Sequence, residues 1–407
     1  MYTDYRMNDE NIQAYQIHEQ IIATIKNRFQ TYGYQQMRTS SFEKYDLYSQ
    51  VSSSINQNEM IKVIDHTGEV LVLRPDVTIP ITHQLAQNIT ELNDELRYFY
   101  VQDVYRQPVD RSASIEGTQA GIEYFGDDSA EADAEVIALA CQTLKDLGFH
   151  DVKIEMGHAG FFQDLIADID LSDNDLKALK NLIQAKNRVD IVPFLQNLSV
   201  DEKLTNAIAE IPFLYGNPAE VGERAKAITL TKQMQEKREH LLEVYEILKM
   251  YGLENHVIMD LGLINQMGYY SDVIFQGFVE KFGQPMLMGG RYNHLGDAFG
   301  AHIPAIGFAC TVDSIKKALD DQALTTSKQL DVELIYEQAQ MADAIQLTRA
   351  LRDAQYRVIS HSKNKHTDEN QCWQIEVCAA RKTVIHQKKV RTFSTIEELF
   401  EIMEGDI

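Results

Sequence analysis

The chain has 407 residues, 44% of them hydrophobic, enough for two or three domains with cores of their own. Acidic residues outnumber basic ones, 61 Asp and Glu against 38 Lys and Arg, and the formal charge is -23. Phosphate backbones are gripped by clustered cations, so this balance argues against nucleic-acid binding; four cysteines without CxxC spacing argue against a disulfide framework or a zinc site and suit a reducing cytosol.

The opening MYTDYRMNDE lacks the basic and apolar regions of a signal peptide. No run of about 18 apolar residues is present to span a membrane. From 9 to 32, Ile17, Ile21, Ile25 and Phe29 recur every four residues with Ile22 beside them, which predicts an amphipathic helix closed by Gly33. The extended piece YQQMRTSSFE follows. MIKVID and EVLVLR then flank His66-Thr67-Gly68, predicting a hairpin with the glycine in its turn. Pro75 and Asp76 end that strand, and Asp76 is placed to cap a helix.

Residues 96–106, LRYFYVQDVYR, read as a strand, with Arg106 at its end on the parity of Tyr98 and Tyr100. The segment QPVDRSASIEG loops into TQAGIEYFG, 118–126, and a loop of this length suits an antiparallel pair. In that second strand Ala120, Ile122 and Tyr124 point one way, and Gln119, Gly121 and Glu123 the other. A glycine in mid-strand often marks a close approach. Spacing alone fits either a half-exposed strand or a pocket floor, where Gln119 and Glu123 hydrogen-bond a small polar ligand across Gly121.

A helix is expected from Ser129 to Leu147 and a strand in VKIEMGH, 152–158. From Phe161 to Tyr251 the pattern is helical, without strands, broken by Pro193, Pro212 and Pro218, and closed by Gly252. Strands on either side make this block, about 160–252, a helical insertion. VIMDLGLI and YYSDVIFQGFV read as a second hairpin, PMLMGGRYNHLG as a strand running into a double glycine, and PAIGFACTVDSIKKAL as a strand turning into a helix. ALTTSKQ, 323–329, is the expected linker, dividing a core, 1–322, from a small C-terminal α/β domain, 330–407. That domain shows VELIY, the helical MADAIQLTRALRDA, two more short strands and a polar loop from Lys363 to Asn370. Lys388, Lys389 and Arg391 suit a solvated sheet edge.

Asp76, Thr78, Arg106, Gln119, Glu123, Tyr269 and Tyr270 fall on the polar faces and ends of these strands. Two carboxylates suit an ammonium and an imidazole N–H, tyrosine hydroxyls donate or accept, and an arginine pairs with a carboxylate. As a group they describe a pocket for a zwitterionic amino acid with a polar side chain. Unrelated strand-end polar residues would produce the same spacing.

The order of the hairpin with RPDVT, YFYVQDVYR, TQAGIEYFG, GYYSDVIFQGF, MGGRYNHLG and PAIGFA resembles the catalytic core of class II histidyl-tRNA synthetases over residues 5–320. The helical block occupies that family's insertion position. The resemblance implies an α+β fold, a class II aminoacyl-tRNA synthetase-like antiparallel sheet flanked by helices. It also implies that Asp76, Thr78 and Gln119 hold the α-amino group of histidine, that Glu123 and Tyr270 read the imidazole, and that Arg106 is the motif-two arginine.

Departures from the synthetase pattern touch the RPD segment and motif one, and the rest fall on the ATP side. Asp76 replaces a glutamate, Ser40 stands at the motif-one proline, and Ser114 and Glu116 enter a loop that is basic in synthetases, leaving Arg111. Asn265 replaces the arginine of RGLDYY, and Val312-Asp313-Ser314 replaces the Glu-Arg of motif three. Adenylate formation develops charge on phosphate oxygens and relies on such cations. This profile resembles the family of ATP phosphoribosyltransferase regulatory subunits, which use RPD and lack aminoacylation. That resemblance implies no catalytic residues, cofactor or metal. It implies a short-form catalytic subunit as partner in the first step of histidine biosynthesis, and histidine as the feedback ligand. A homodimer, a cytoplasmic hetero-octamer of four plus four, and no contact with nucleic acid or membrane are further expectations. A divergent synthetase, or another synthetase-like protein that binds or activates an amino acid, is the alternative.

Overall fold

The structure is a computed structural model that describes residues 11–51, 57–88, 94–108, 114–264, 268–320, 330–362, 372–387 and 389–405. Arg111, Asn265, the 323–329 linker, the loop Lys363 to Asn370 and Lys388 lie outside the described residues. By contact density the chain divides into Met1–Leu324 and Thr325–Ile407.

The first unit holds twelve strands among its described residues: β1 (Gln35–Gln36), β2 (Phe42–Lys44), β3 (Lys62–Ile64), β4 (Val70–Leu73), β5 (Leu96–Tyr105), β6 (Glu116–Phe125), β7 (Val152–His158), β8 (Tyr215–Gly216), β9 (Val257–Asp260), β10 (Val273–Val279), β11 (Leu287–Arg291) and β12 (Ala305–Thr311). Nine make one sheet, in the order β1-β5-β6-β12-β11-β10-β7-β9-β8. From β5 across to β7 every pairing is antiparallel, and only β1–β5 and β7–β9 are parallel. β2, β4 and β3 form a separate small sheet, whose β3–β4 hairpin turns at Gly68 with φ 89°.

Each face of the large sheet has its own core. The alternation of β6 aims Ala120, Ile122 and Tyr124 at one of them. There they meet the helix Ile12–Thr31, which buries Ile17, Ile21, Ile22, Ile25 and Phe29, and the helix Ala130–Asp146. The first helix gives way to Gly33 at φ 81°, in the left-handed region glycine adopts without a Cβ penalty. The second is capped by Ser129, whose hydroxyl accepts from the Ala132 amide. On the other face Tyr100, Phe125 and Tyr292 pack with Val72 and Ile79.

Four expectations are corrected. β9 and β10 do not form a hairpin: β7 lies between them, parallel to β9 and antiparallel to β10. The segment joining them is too long to impose the register of a tight turn. The helical block is not strand-free, since Tyr215 and Gly216 pair with the edge of β9. Nor does Pro193 break its helix; it sits inside Arg188–Asn197, where it removes one backbone hydrogen bond, whereas Pro218 opens the helix Pro218–Ala225. The C-terminal unit has four strands after β13 (Val332–Tyr336) rather than two: β14 (Val358–Ser362), β15 (Trp373–Val377), β16 (Lys382–His386) and β17 (Lys389–Phe393), in the order β14-β13-β15-β16-β17. β17 hid in the sequence because only Phe393 of its five residues is buried, so it shows little alternation.

Gly121 has a different reason from the one its sequence position suggested. Its cross-strand partner is Tyr100, and a Cβ on residue 121 would stand 2.6 Å from the Tyr100 ring and 2.7 Å from the Phe308 carbonyl oxygen. The gap in β6 is filled by a tyrosine of the neighbouring strand, not left open for a ligand. Gly121→Ala should therefore destabilise the core by about 1–3 kcal/mol, by overpacking. Urea unfolding reads this as a lower midpoint, and an unchanged midpoint would contradict the packing.

Candidate ligand pocket

A cavity of about 60 Å³ opens on the Tyr100 face of the sheet, and Asp76, Thr78, Gln119, Glu123, Tyr269 and Tyr270 all line it. Six of the seven sequence candidates thus converge. The seventh, Arg106, is not on the wall. Its Nε donates to the Pro75 carbonyl at 2.8 Å, so it steadies the segment that presents Asp76.

Glu123 is 2% exposed. The Thr78 hydroxyl donates to its Oε1 at 2.5 Å, and the Tyr292 hydroxyl donates to its Oε2. Across the sheet its register partner is Gly307, where any Cβ would run into the carboxylate. Burial pushes Glu123 up to about 8; the bonds from Thr78 and Tyr292 pull the other way, and the charge of Asp76 adds to the rise. Asp76 is also raised by burial, against which the Ile79 amide, Arg106 and the Thr78 amide act. Its Oδ1 accepts from the Ile79 amide at 2.8 Å, which caps the helix Thr78–Asn88 as its sequence position anticipates.

The aromatic side of the cavity is a tyrosine cluster. Tyr269 and Tyr270 have ring centroids 4.8 Å apart, and Tyr269 and Tyr292 5.8 Å. Burial raises all three phenols, so they remain hydroxyls that can donate. The double glycine lies inside β11, not beyond its end. Gly290 makes room for the Tyr270 ring, which a Cβ would meet at 2.7 Å, and Gly289 makes room for Phe275 and Phe308. No Lys or Arg is among the described residues lining the cavity. Two buried carboxylates ringed by hydroxyls call for a partner that brings N–H donors or positive charge.

Tyr100 and Tyr292 were not singled out from the sequence. Tyr292 stands in MGGRYNHLG, beside Arg291, and its alignment with Glu123 depends on what Arg291 does. Arg291 is 1% exposed; its Nε donates to Asp133 Oδ1 at 2.8 Å and its Nη1 to the Asp127 carbonyl at 2.7 Å. The other oxygen of Asp133 meets Nε2 of His240 at 2.8 Å. This network ties β11 to the helix Ala130–Asp146 and to the insertion helix Lys232–Met250. With Arg291 held on one face, Tyr292 is delivered to the other.

At the far end of β6, where motif three was expected to carry a cation, the Thr118 amide donates to Asp313 Oδ2 at 3.2 Å, and Ser314 follows in the helix Val312–Asp320. That corner presents an acid committed to the backbone.

A family model described as Histidyl-tRNA synthetase matches residues 7–315. A protein of Oceanobacillus iheyensis named ATP phosphoribosyltransferase regulatory subunit is 46% identical over 342 residues, 83% of each chain. A protein of the same name from Thermoanaerobacter sp. is 33% identical over 362 residues, 88% of this chain and 94% of its own. A solved structure from Bacillus halodurans, described as an ATP phosphoribosyltransferase regulatory subunit/histidyl-tRNA synthetase, superposes with a TM-score of 0.79 at 27% identity, covering 92% of this chain and 97% of that one. Histidyl-tRNA synthetase from Nostoc sp. superposes at 0.77 over 99% and 100% of the chains, at 16% identity, a likeness of fold alone. The fold is the class II tRNA synthetase fold, with a small sheet domain at the C-terminus.

Glu123 also sets a sign for stability against pH. Its folded value, about 8, lies above its ordinary 4.5, so its contribution is fully present below the lower value and is lost as pH rises through the upper one. Glu123→Gln keeps the shape and cannot ionise. Between those two values the wild type should lose more stability than the variant, read as urea midpoints across pH. Parallel profiles would mean that Glu123 is already ionised in the folded protein.

Proposed function

The chain belongs to the family of ATP phosphoribosyltransferase regulatory subunits, and on that premise we propose that it is the non-catalytic chain that activates a short-form catalytic subunit in the first step of histidine biosynthesis and carries histidine feedback to it. The observation behind this reading is the pocket: Asp76 and Glu123 buried together, hydroxyls around them, and no cation among the described residues of the wall. In this reading Asp76, Thr78 and Gln119 hold the α-amino group of histidine, while Glu123 and Tyr270 read the imidazole. Thr78 and Tyr292 orient the Glu123 carboxylate, and Arg106 acts through the backbone that carries Asp76. Histidine, bringing N–H donors and an ammonium, favours the ionised Glu123, so its binding expels the proton that burial retains.

The chain works, in this proposal, as a cytoplasmic homodimer that joins catalytic subunits in a hetero-octamer of four plus four. The division into a core, 1–322, and a C-terminal domain, 330–407, carries over, with the activity placed in the core. No adenylation chemistry is included, because Asp313 and Ser314 offer no clamp for phosphate.

Mixing the purified chain with its short-form catalytic subunit should give co-purification and phosphoribosyl transfer that neither chain supports alone, lowered by histidine. Absence of that gain would overturn the reading. Pyrophosphate exchange dependent on histidine, by the chain alone, would point to a divergent synthetase instead.

Histidine binding itself is read by calorimetry. Loss of one charge-assisted hydrogen bond is worth roughly 1.5–3 kcal/mol, so Glu123→Gln should weaken binding about 10- to 150-fold. If both proteins bind alike, feedback must enter elsewhere.

A further inference from the structure

We propose that His294, Asp297 and His302 form a divalent-metal site of the Zn²⁺ type, on the turn that follows Tyr292. Nδ1 of His294 lies 3.0 Å from Asp297 Oδ2, and Nδ1 of His302 lies 3.1 Å from Asp297 Oδ1. One ligand atom from each of the three residues falls within 4.8 Å of the others.

The turn that brings them together is built rather than loose. His294 precedes the short 3-10 helix Gly296–Phe299, Asp297 lies within it, and Gly300, at φ 84°, reverses the chain so that His302 returns to His294. Leu295, Ala301 and Ile303, which alternate with the polar residues, are buried in the core that also holds Tyr292. The backbone is pinned from below, and three ligand side chains stand above it, 70%, 46% and 63% exposed for His294, Asp297 and His302.

Tetrahedral Zn²⁺ with nitrogen and oxygen at about 2.0–2.2 Å needs donor atoms roughly 3.3–3.5 Å apart. Each ring is already close to that distance from Asp297, but on different oxygens, Oδ2 for His294 and Oδ1 for His302. The carboxylate must turn to offer one oxygen to both rings, and the edge between the imidazoles must close; side chains this exposed can turn to do both. An ionised carboxylate only accepts, so without metal each Nδ1 carries the proton in its bond to Asp297. To bind metal, each ring moves that proton to Nε2 and offers the Nδ1 lone pair. Two imidazoles and a carboxylate suit Zn²⁺, Ni²⁺ or Cu²⁺ over Ca²⁺ or Mg²⁺. Three protein ligands leave the fourth position to water. The cysteine spacing that argued against zinc does not bear on this site, because it uses no sulfur.

The test uses the full chain, stripped with a chelator and titrated with Zn²⁺ against a chromophoric competitor. Wild type should bind one Zn²⁺ more than the double variant His294→Gln/His302→Gln. Asp297→Asn, which keeps the shape but loses the anionic ligand, should weaken that ion at least tenfold. All three positions are at the surface, so far-UV circular dichroism should show the fold unchanged. The four cysteines and the other histidines are common to all the proteins, so the difference reports the triad alone. Equal stoichiometry and affinity in wild type and double variant would overturn the site. Histidine is absent throughout, so the result is independent of the amino-acid pocket.

Discussion

A carboxylate in the middle of a sheet, closed off from water, is the constraint on which the core turns. Glu123 is retained there because each neighbour yields to it or bonds to it. Gly307 gives up its side chain on one side, Thr78 reaches from the start of a helix, and Tyr292 reaches from the end of β11. One register step away the relation reverses: Gly121 yields and Tyr100 fills. Glycine faces a large side chain at both places, which lets the sheet take in the buried acid and the tyrosine ring side by side.

The opposite face is held by a buried charge, and this one is paired. Breaking a buried ion pair from one side costs about 3–5 kcal/mol, because the remaining charge has nowhere to go. Arg291 and Asp133 are in that position, with His240 completing the acid's second oxygen. The insertion therefore belongs to the architecture of the sheet, since it supplies His240. Arg291 and Glu123 divide the work: one locks β11 in place, and the other uses the tyrosine that the lock presents.

Much of this was legible in sequence, and the limit has a physical form. Local periodicity located β5, β6 and their parity and the capping role of Asp76, because each of those depends on residues near in sequence; of the cavity wall it reached six of sixteen lining residues. The β7–β9 pairing and the single-step strand at Tyr215 were hidden, because pairing partners across a long insertion leave no mark on either segment. Tyr292 was hidden for the same reason: it meets Glu123 across 169 residues, and nothing local to it distinguishes a ligand-facing tyrosine from a core one. Arg106 is a different case. Its residue type fits a carboxylate ligand, but its Nε is taken by the Pro75 carbonyl, and a backbone acceptor is invisible to any argument from side chains.

That same separation in sequence sets the order of events on the ribosome. Glu123, Thr78 and Asp76 emerge early. Tyr292 and Gly307 follow only after the insertion has been made, and contacts so distant along the chain form late in folding. Until β11 and β12 have docked, Glu123 has no Tyr292 hydroxyl, no Gly307 backbone over it, and water still at hand. A nascent or truncated chain ending before β11 carries an ordinary solvated acid at that position. The unusual acid, with everything that depends on it, exists only in a finished core.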